Sequence, residues 1–203
     1  MAFIDSTYFT GELLIPGAST DTQLTQAITQ YEKEILMSLL GYTLYTALQA
    51  DLSEGVPQSQ IYLDLVNGAT FTHTFYGEEI TLKWEGLINS GKLSLIAYYI
   101  YYKYVERHLV EYHGKAMTAL PSGKDWERVN PVYKLCDVWD RMRTLYGKIP
   151  VNYKNSFAYP VKGEDLGAVY DMEPSAYNFL YANKSDYPDW YFTALWNINA
   201  FGI

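Results

Sequence analysis

The residues of this chain best suited to acid–base or metal chemistry are its three histidines, His73, His108 and His113, and the carboxylates near them. The run HLVEYH places His108, Glu111 and His113 close together, loosely like a zinc-peptidase motif. Such motifs put both histidines on one helix face. Here the two are five positions apart, about 140° around a helix, so they do not share an ion easily. Asp137 and Asp140 fall on adjacent turns, with Lys134 and Arg141 close enough to pair with them. Glu164, Asp165, Asp171 and Glu173 cluster in KGEDLGAVYDME without the spacing of a calcium loop, and read as a surface loop. The sequence contains no G-x-S-x-G elbow, no phosphate-binding loop and no dinucleotide fingerprint. The single cysteine, Cys136, excludes an internal disulfide; beside Leu135, Val138 and Trp139 it reads as a small buried hydrophobe. These residues predict no catalytic site, no bound metal and no cofactor.

The elements that must carry the side chains are dominated by tyrosine, with 21 copies in 203 residues. Tyrosine joins a large apolar ring to one polar handle and is enriched at protein interfaces. Hydrophobic residues make up 49% and charged residues 19%, a balance that predicts a self-burying globular chain. The net charge of −8 argues against non-specific nucleic-acid binding by the whole surface. The charge is divided unevenly: residues 1–114 carry five basic and thirteen acidic side chains, residues 115–162 nine and four, residues 163–203 one and six. An acidic–basic–acidic order suits head-to-tail contact between copies. The N-terminal sequence lacks the basic and apolar regions of a signal peptide, which predicts maturation in a reducing cytoplasm.

Hydrophobic periodicity predicts helices over about 20–50, 59–68, 90–113 and 124–147. Ser19, Thr20 and Asp21 are candidate caps for the first, and Gly41 is a stop or bend within it. Alternation of Phe71, His73 and Phe75, then Ile80, Leu82 and Trp84, predicts a β-hairpin across a Gly77–Glu78 turn. The third helix contains LSLIAYYIYYKYVERHLVEYHG, with six tyrosines. Only ten uncharged residues separate Lys92 from Lys103, whereas a membrane span needs about 20, so no membrane partner is expected. Its three–four spacing sends Leu93, Ile96, Ala97, Ile100 and Tyr104 to the core. Leu95, Tyr98, Tyr99 and Tyr102 are left for the C-terminal arm or a second copy. The expected class is mainly α: a helical bundle over 1–149 with one hairpin near 71–84, and an extended aromatic arm over 150–203. Short helical turns are predicted in PSAYNFLYAN and YPDWYFTALWNINAF.

The order of these elements carries a resemblance. An N-terminal YFTGELLIPG, expected to be extended, precedes a helix with Leu24, Ile28, Tyr31, Glu32, Leu36, Leu39, Leu40 and Gly41 in the texture L..aI..yE..il..llG. A loop, SEGVPQS, a short helix and then LSLIAYYIYYKYVER follow. Over roughly residues 8–147 this resembles the small helical head–tail connector (adaptor, or head-completion) proteins of tailed phages, notably those of Bacteroides-type phages and prophages. The hairpin and the long aromatic arm exceed the small core typical of that family. The resemblance implies a structural virion protein rather than an enzyme. Its partners would be further copies of itself in a ring, commonly dodecameric, the portal, the tail proteins and DNA passing without sequence-specific contact. Its location would be the neck of a virion assembled in the host cytoplasm. Tyr76, Gly77, Glu78, Tyr98, Tyr99, Tyr101, Tyr102, Trp190 and Trp196 are the expected contact residues. The alternatives are another tail- or capsid-completion protein, or a soluble binding module or unrecognised hydrolase.

Overall fold

The computed structural model describes residues 2–75, 78–112, 131–147, 174–193 and 195. Among these it is mainly α, with five α-helices and two antiparallel strand pairs. The N-terminal stretch is turned rather than extended. It makes two single 3-10 turns, Ser6–Tyr8 and Gly11–Leu13, that bring Ile4, Phe9, Leu13 and Ile15 into the core. Helix α1 (Thr22–Asp51) begins at Asp21, whose carboxylate accepts from the amides of Gln23 (2.8 Å) and Leu24 (3.1 Å). This satisfies two of the donors that every helix start leaves open. Within α1, Gly41 has φ 77° and ψ 164° and divides it into two helical pieces.

The segment expected as a loop after α1 contains a miniature hairpin. Strands β1 (Leu52–Ser53) and β2 (Val56–Pro57) pair antiparallel across Glu54 and Gly55, both with positive φ. Asp51 then accepts from the amides of Gln58 (2.8 Å) and Ser59 (2.9 Å), which positions helix α2 (Gln60–Asn67). Strands β3 (Ala69–Phe75) and β4 (Glu78–Trp84) form the predicted second hairpin. Its register pairs Phe75 with Glu78, so the connecting residues are 76 and 77, not Gly77 and Glu78. Phe71, His73 and Trp84 are buried on one face, while Thr70, Thr72, Thr81 and Lys83 are exposed on the other.

Helix α3 (Leu95–Tyr112) starts five residues later than its periodicity predicts. Asn89 explains the delay: its side chain exchanges hydrogen bonds with the Leu93 backbone, accepting at 3.2 Å and donating at 3.0 Å. That ring holds the chain in a turn until Ser94, which caps the Ala97 amide at 3.2 Å. Leu93 therefore precedes the helix and is exposed, not part of the core. Helix α4 (Pro131–Tyr146) opens on proline, a favoured first helical residue. The expected first turn at 124–130 lies outside the described residues. Helix α3 packs between α1 and α4, placing Leu95, Ile96, Ile100, Val138, Trp139 and Met142 in one core with Ile35, Leu36 and Leu39.

The described part of the arm, 174–193, is folded back rather than extended. Helix α5 (Ala176–Ala182) is capped by Ser175, whose hydroxyl accepts from the Asn178 amide at 3.2 Å. Phe179, Leu180 and Tyr187 are buried against the hairpin and α2. Phe179 meets Phe71 edge-on and Trp84 near-parallel, and the Tyr187 hydroxyl donates to the Ile61 carbonyl at 2.6 Å.

Candidate functional site

Four of the expected contact tyrosines are covered by their own chain. Tyr98, Tyr99, Tyr101 and Tyr102 are all at most 6% exposed, which removes them as a free interface. Helix α3 lies in a three-sided trough, and each ring on its second face finds a partner on the trough wall. The Tyr98 hydroxyl donates to Glu12 of the N-terminal turns, Tyr99 to Glu34 of α1, and Tyr104 to the cap residue Asp21. Tyr102 donates to Glu106 one turn along at 2.9 Å and tilts its ring on Trp139 of α4, centroids 4.6 Å apart. Lys134 lies 5.0 Å over the Tyr101 ring. Burial raises the Tyr98 pKa to about 12, with Glu12 adding to the shift and Arg141 opposing it. Burial and then Glu34 hold the Tyr99 hydroxyl protonated well above the ordinary tyrosine range. These hydroxyls act as permanent donors, and part of the acidic surplus of residues 1–114 is there to accept from them.

Glu32 is a second use of a carboxylate. It is 4% exposed on α1 and accepts from the amides of Phe3 (2.8 and 3.0 Å to its two oxygens) and Ile4 (3.2 Å). Burial raises its pKa to about 7, while the two amides pull the other way. The group fastens the N-terminal stretch to the helix.

An unusual local geometry surrounds Gly41. A helix that breaks leaves the last carbonyls of its first piece in need of donors. Here the chain near residue 190 supplies them. The Thr193 amide donates to Ser38 O at 2.8 Å, the Trp190 indole N–H to Leu39 O at 2.8 Å, and the Tyr191 amide to Leu40 O at 3.2 Å. A Cβ on Gly41 would stand 2.8 Å from Tyr191 Cβ and 3.0 Å from Tyr191 O, so the two backbones touch here. With φ 77° and ψ 164°, the backbone is in a region that only glycine occupies readily. Around this junction Tyr177, Trp190 and Phe192 pack ring against ring, and Tyr146 donates its hydroxyl to Thr193 O at 2.6 Å. Two tyrosines on the rim remain outside: Tyr42 is 71% and Tyr191 72% exposed. Trp190, an expected contact residue, is therefore half-buried in a contact within the chain. Glu78 opens β4, while Tyr76, Gly77 and Trp196 lie outside the described residues. Sequence reading missed the Ser38–Leu40 acceptors, for which the glycine inside an apolar helix was the one available signal.

The residues weighed for chemistry are scattered. Asp137 is exposed and pairs with Arg141 at 3.1 Å, and Arg141 also reaches Glu12 at 3.0 Å. Asp140 is exposed on the same helix, and Cys136 is half-buried. His73 is buried beside Tyr181, its Nε2 without a hydrogen-bond partner. The His108 side chain, His113 and the Glu164–Glu173 acids lie outside the described residues. Among the described residues no group of His, Cys, Asp and Glu is placed to hold a metal. No described helix is long and apolar enough to cross a membrane. A cleft of about 160 Å³ between α1 and α3 is lined by Ala27 and by the polar Gln23, Gln26, Gln30, Tyr31, Tyr104 and Arg107; the Tyr104 hydroxyl already donates to Asp21. No family model matches the sequence, and no curated protein and no solved structure matches it either.

Proposed function

We propose that this chain is a structural subunit of a tailed-phage neck, a ring component that joins the portal to the tail and continues the DNA channel. The observation that carries this reading is the texture of α1: Leu24, Ile28, Tyr31, Glu32, Leu36, Leu39 and Leu40 ending at Gly41, followed by a short helix and the tyrosine helix. That order resembles the connector family. A ring subunit presents different surfaces to its two neighbours. The exposed Tyr42, Tyr133 and Tyr191 are the side chains suited to such contacts. They take over the role first assigned to the α3 tyrosines. Acids that cap no tyrosine, such as the exposed Glu79 of the hairpin, would repel DNA wherever they face the channel.

Co-expression with the portal and tail proteins of the same genome, followed by electron microscopy of the purified complex, tests this. The expected outcome is a ring of this chain seated on the portal, with no enzymatic turnover required. A chain that stays monomeric and binds neither portal nor tail protein overturns the reading.

A further inference from the structure

Strands β3 and β4 pair with each other and with no third strand among the described residues, so each keeps one open edge. The register decides which groups that edge presents. Phe75 and Glu78 close a two-residue turn, and the pairs His73–Ile80, Phe71–Leu82 and Ala69–Trp84 follow in the same phase. These residues bond inward, strand to strand, and the residues between them turn their N–H and C=O groups outward. On β4 the outward set is Glu79, Thr81 and Lys83, all with exposed side chains. Among the described residues no hydrogen bond from another element reaches their backbone. An edge of this kind is a template for a further strand.

The order of charges along the edge selects the strand. Glu79, Thr81 and Lys83 run negative, neutral, positive at even spacing. We propose that β4 pairs antiparallel with β4 of a second copy, about a two-fold axis at Thr81. In that register Glu79 faces Lys83 of the second copy, Thr81 faces Thr81, and Lys83 faces Glu79. Each of these pairs falls on the outward phase, so each exchanges two backbone hydrogen bonds. Opposite charges and paired threonines directly across a ladder are both favourable. On the other face the half-buried Ile80 meets Leu82 of the second copy. Sliding one strand by two residues breaks both charge pairs, and an in-register parallel alignment sets like charges against each other. The edge of β3 offers Thr70, Thr72 and Thr74, with no charge to match Glu79 or Lys83. Lys83 already lies 3.0 Å from Glu85, but that pair is solvent-exposed on both sides and holds the lysine only weakly. The inference does not rest on the neck reading. A ring uses two different surfaces, whereas this contact uses one surface twice and belongs to the chain free of portal and tail.

The test is sedimentation equilibrium of the full chain alone. A contact this small predicts a dimer with a Kd on the order of 100 µM. Glu79→Lys alone and Lys83→Glu alone each set like charges together at both ends of the pair, and each should weaken the dimer at least about tenfold. Mixing the two variants restores both charge pairs in a heterodimer, and the double variant Glu79→Lys/Lys83→Glu restores them in a homodimer. Recovery to about the parent Kd is expected in both cases. Amide hydrogen exchange of the unsubstituted chain gives a second readout. The amides of Glu79, Thr81 and Lys83 should slow as concentration rises, while those of Ile80 and Leu82, already bonded to β3, and of Thr70, Thr72 and Thr74 do not change. A chain that stays monomeric to about 1 mM, a dimer indifferent to the single charge reversals, or one that mixing does not recover overturns the proposal. Neither measurement contains portal or tail protein, so this proposal and the neck reading fail separately.

Discussion

Helix α3 and residues 174–193, a clip laid over the Gly41 break, draw on the same amino acid and use it differently. In α3 the tyrosine rings are buried and their hydroxyls reach out to carboxylates on other elements, Glu12, Glu34 and Asp21. In the segment the break itself is closed by N–H groups of the backbone and of Trp190, aimed at helix carbonyls; Tyr187 is buried like an α3 ring but donates to a backbone carbonyl, Ile61 O, and Tyr191 stays outside. The α3 arrangement is bound into the core on three sides. The clip is a patch of about twenty residues laid over one break. The difference shows that aromatic abundance does not mark an interface. What decides is whether the chain itself supplies a partner for each polar handle.

Four substitutions or conditions sharpen or break that comparison. Tyr102→Ser removes a buried ring from between α3 and Trp139, and should cost about 4 kcal/mol in urea unfolding of the isolated chain. A variant of unchanged stability that assembles poorly would return α3 to the interface. Glu32 tests the carboxylate side. Its pKa is raised from 4.5 to about 7, so the folded chain holds the proton more tightly than the unfolded chain. Stability should then fall as pH rises from about 4.5 to 7, by at most about 3 kcal/mol, with the full penalty present above that window and none below it. Glu32→Gln should flatten that slope in denaturation series at about pH 5 and pH 8. Gly41→Ala forces a side chain into a glycine-only conformation and against Tyr191, at an expected cost of about 2–3 kcal/mol by the same unfolding measurement. An Ala variant as stable as the parent would mean that the clip is not seated there. Tyr191→Ser, at an exposed ring, should change stability by less than about 0.5 kcal/mol while weakening assembly measured by native mass spectrometry.

Much of this was legible in the sequence where the signal is local. The period of Leu24, Ile28, Ile35 and Leu39 marks α1, Asp21 caps it, and Gly41 marks its break. Alternation marks the hairpin, though not which residues turn it, because both Tyr76–Gly77 and Gly77–Glu78 fit a glycine-containing turn. The two-residue strands β1 and β2 are too short to show any period. The start of α3 moved because Asn89 satisfies the Leu93 backbone, a side-chain effect that hydrophobic spacing does not register. The carboxylates that accept from Tyr98, Tyr99 and Tyr104 lie 65 to 86 positions away in the chain, and the Trp190–Leu39 contact spans 151. No spacing rule reads across such separations. Helical period alone divided α3 into a core face and a free face, whereas the trough formed by α1, α4 and the N-terminal turns covers both.

The order of synthesis gives the Gly41 junction one more consequence. The carbonyls of Ser38, Leu39 and Leu40 leave the ribosome about 150 residues before the donors at Trp190, Tyr191 and Thr193. At bacterial elongation rates of about 5–20 residues per second, that interval is on the order of ten seconds or more. During it the first piece of α1 has an unfinished end, and copies emerging from neighbouring ribosomes on one message carry the same unfinished end.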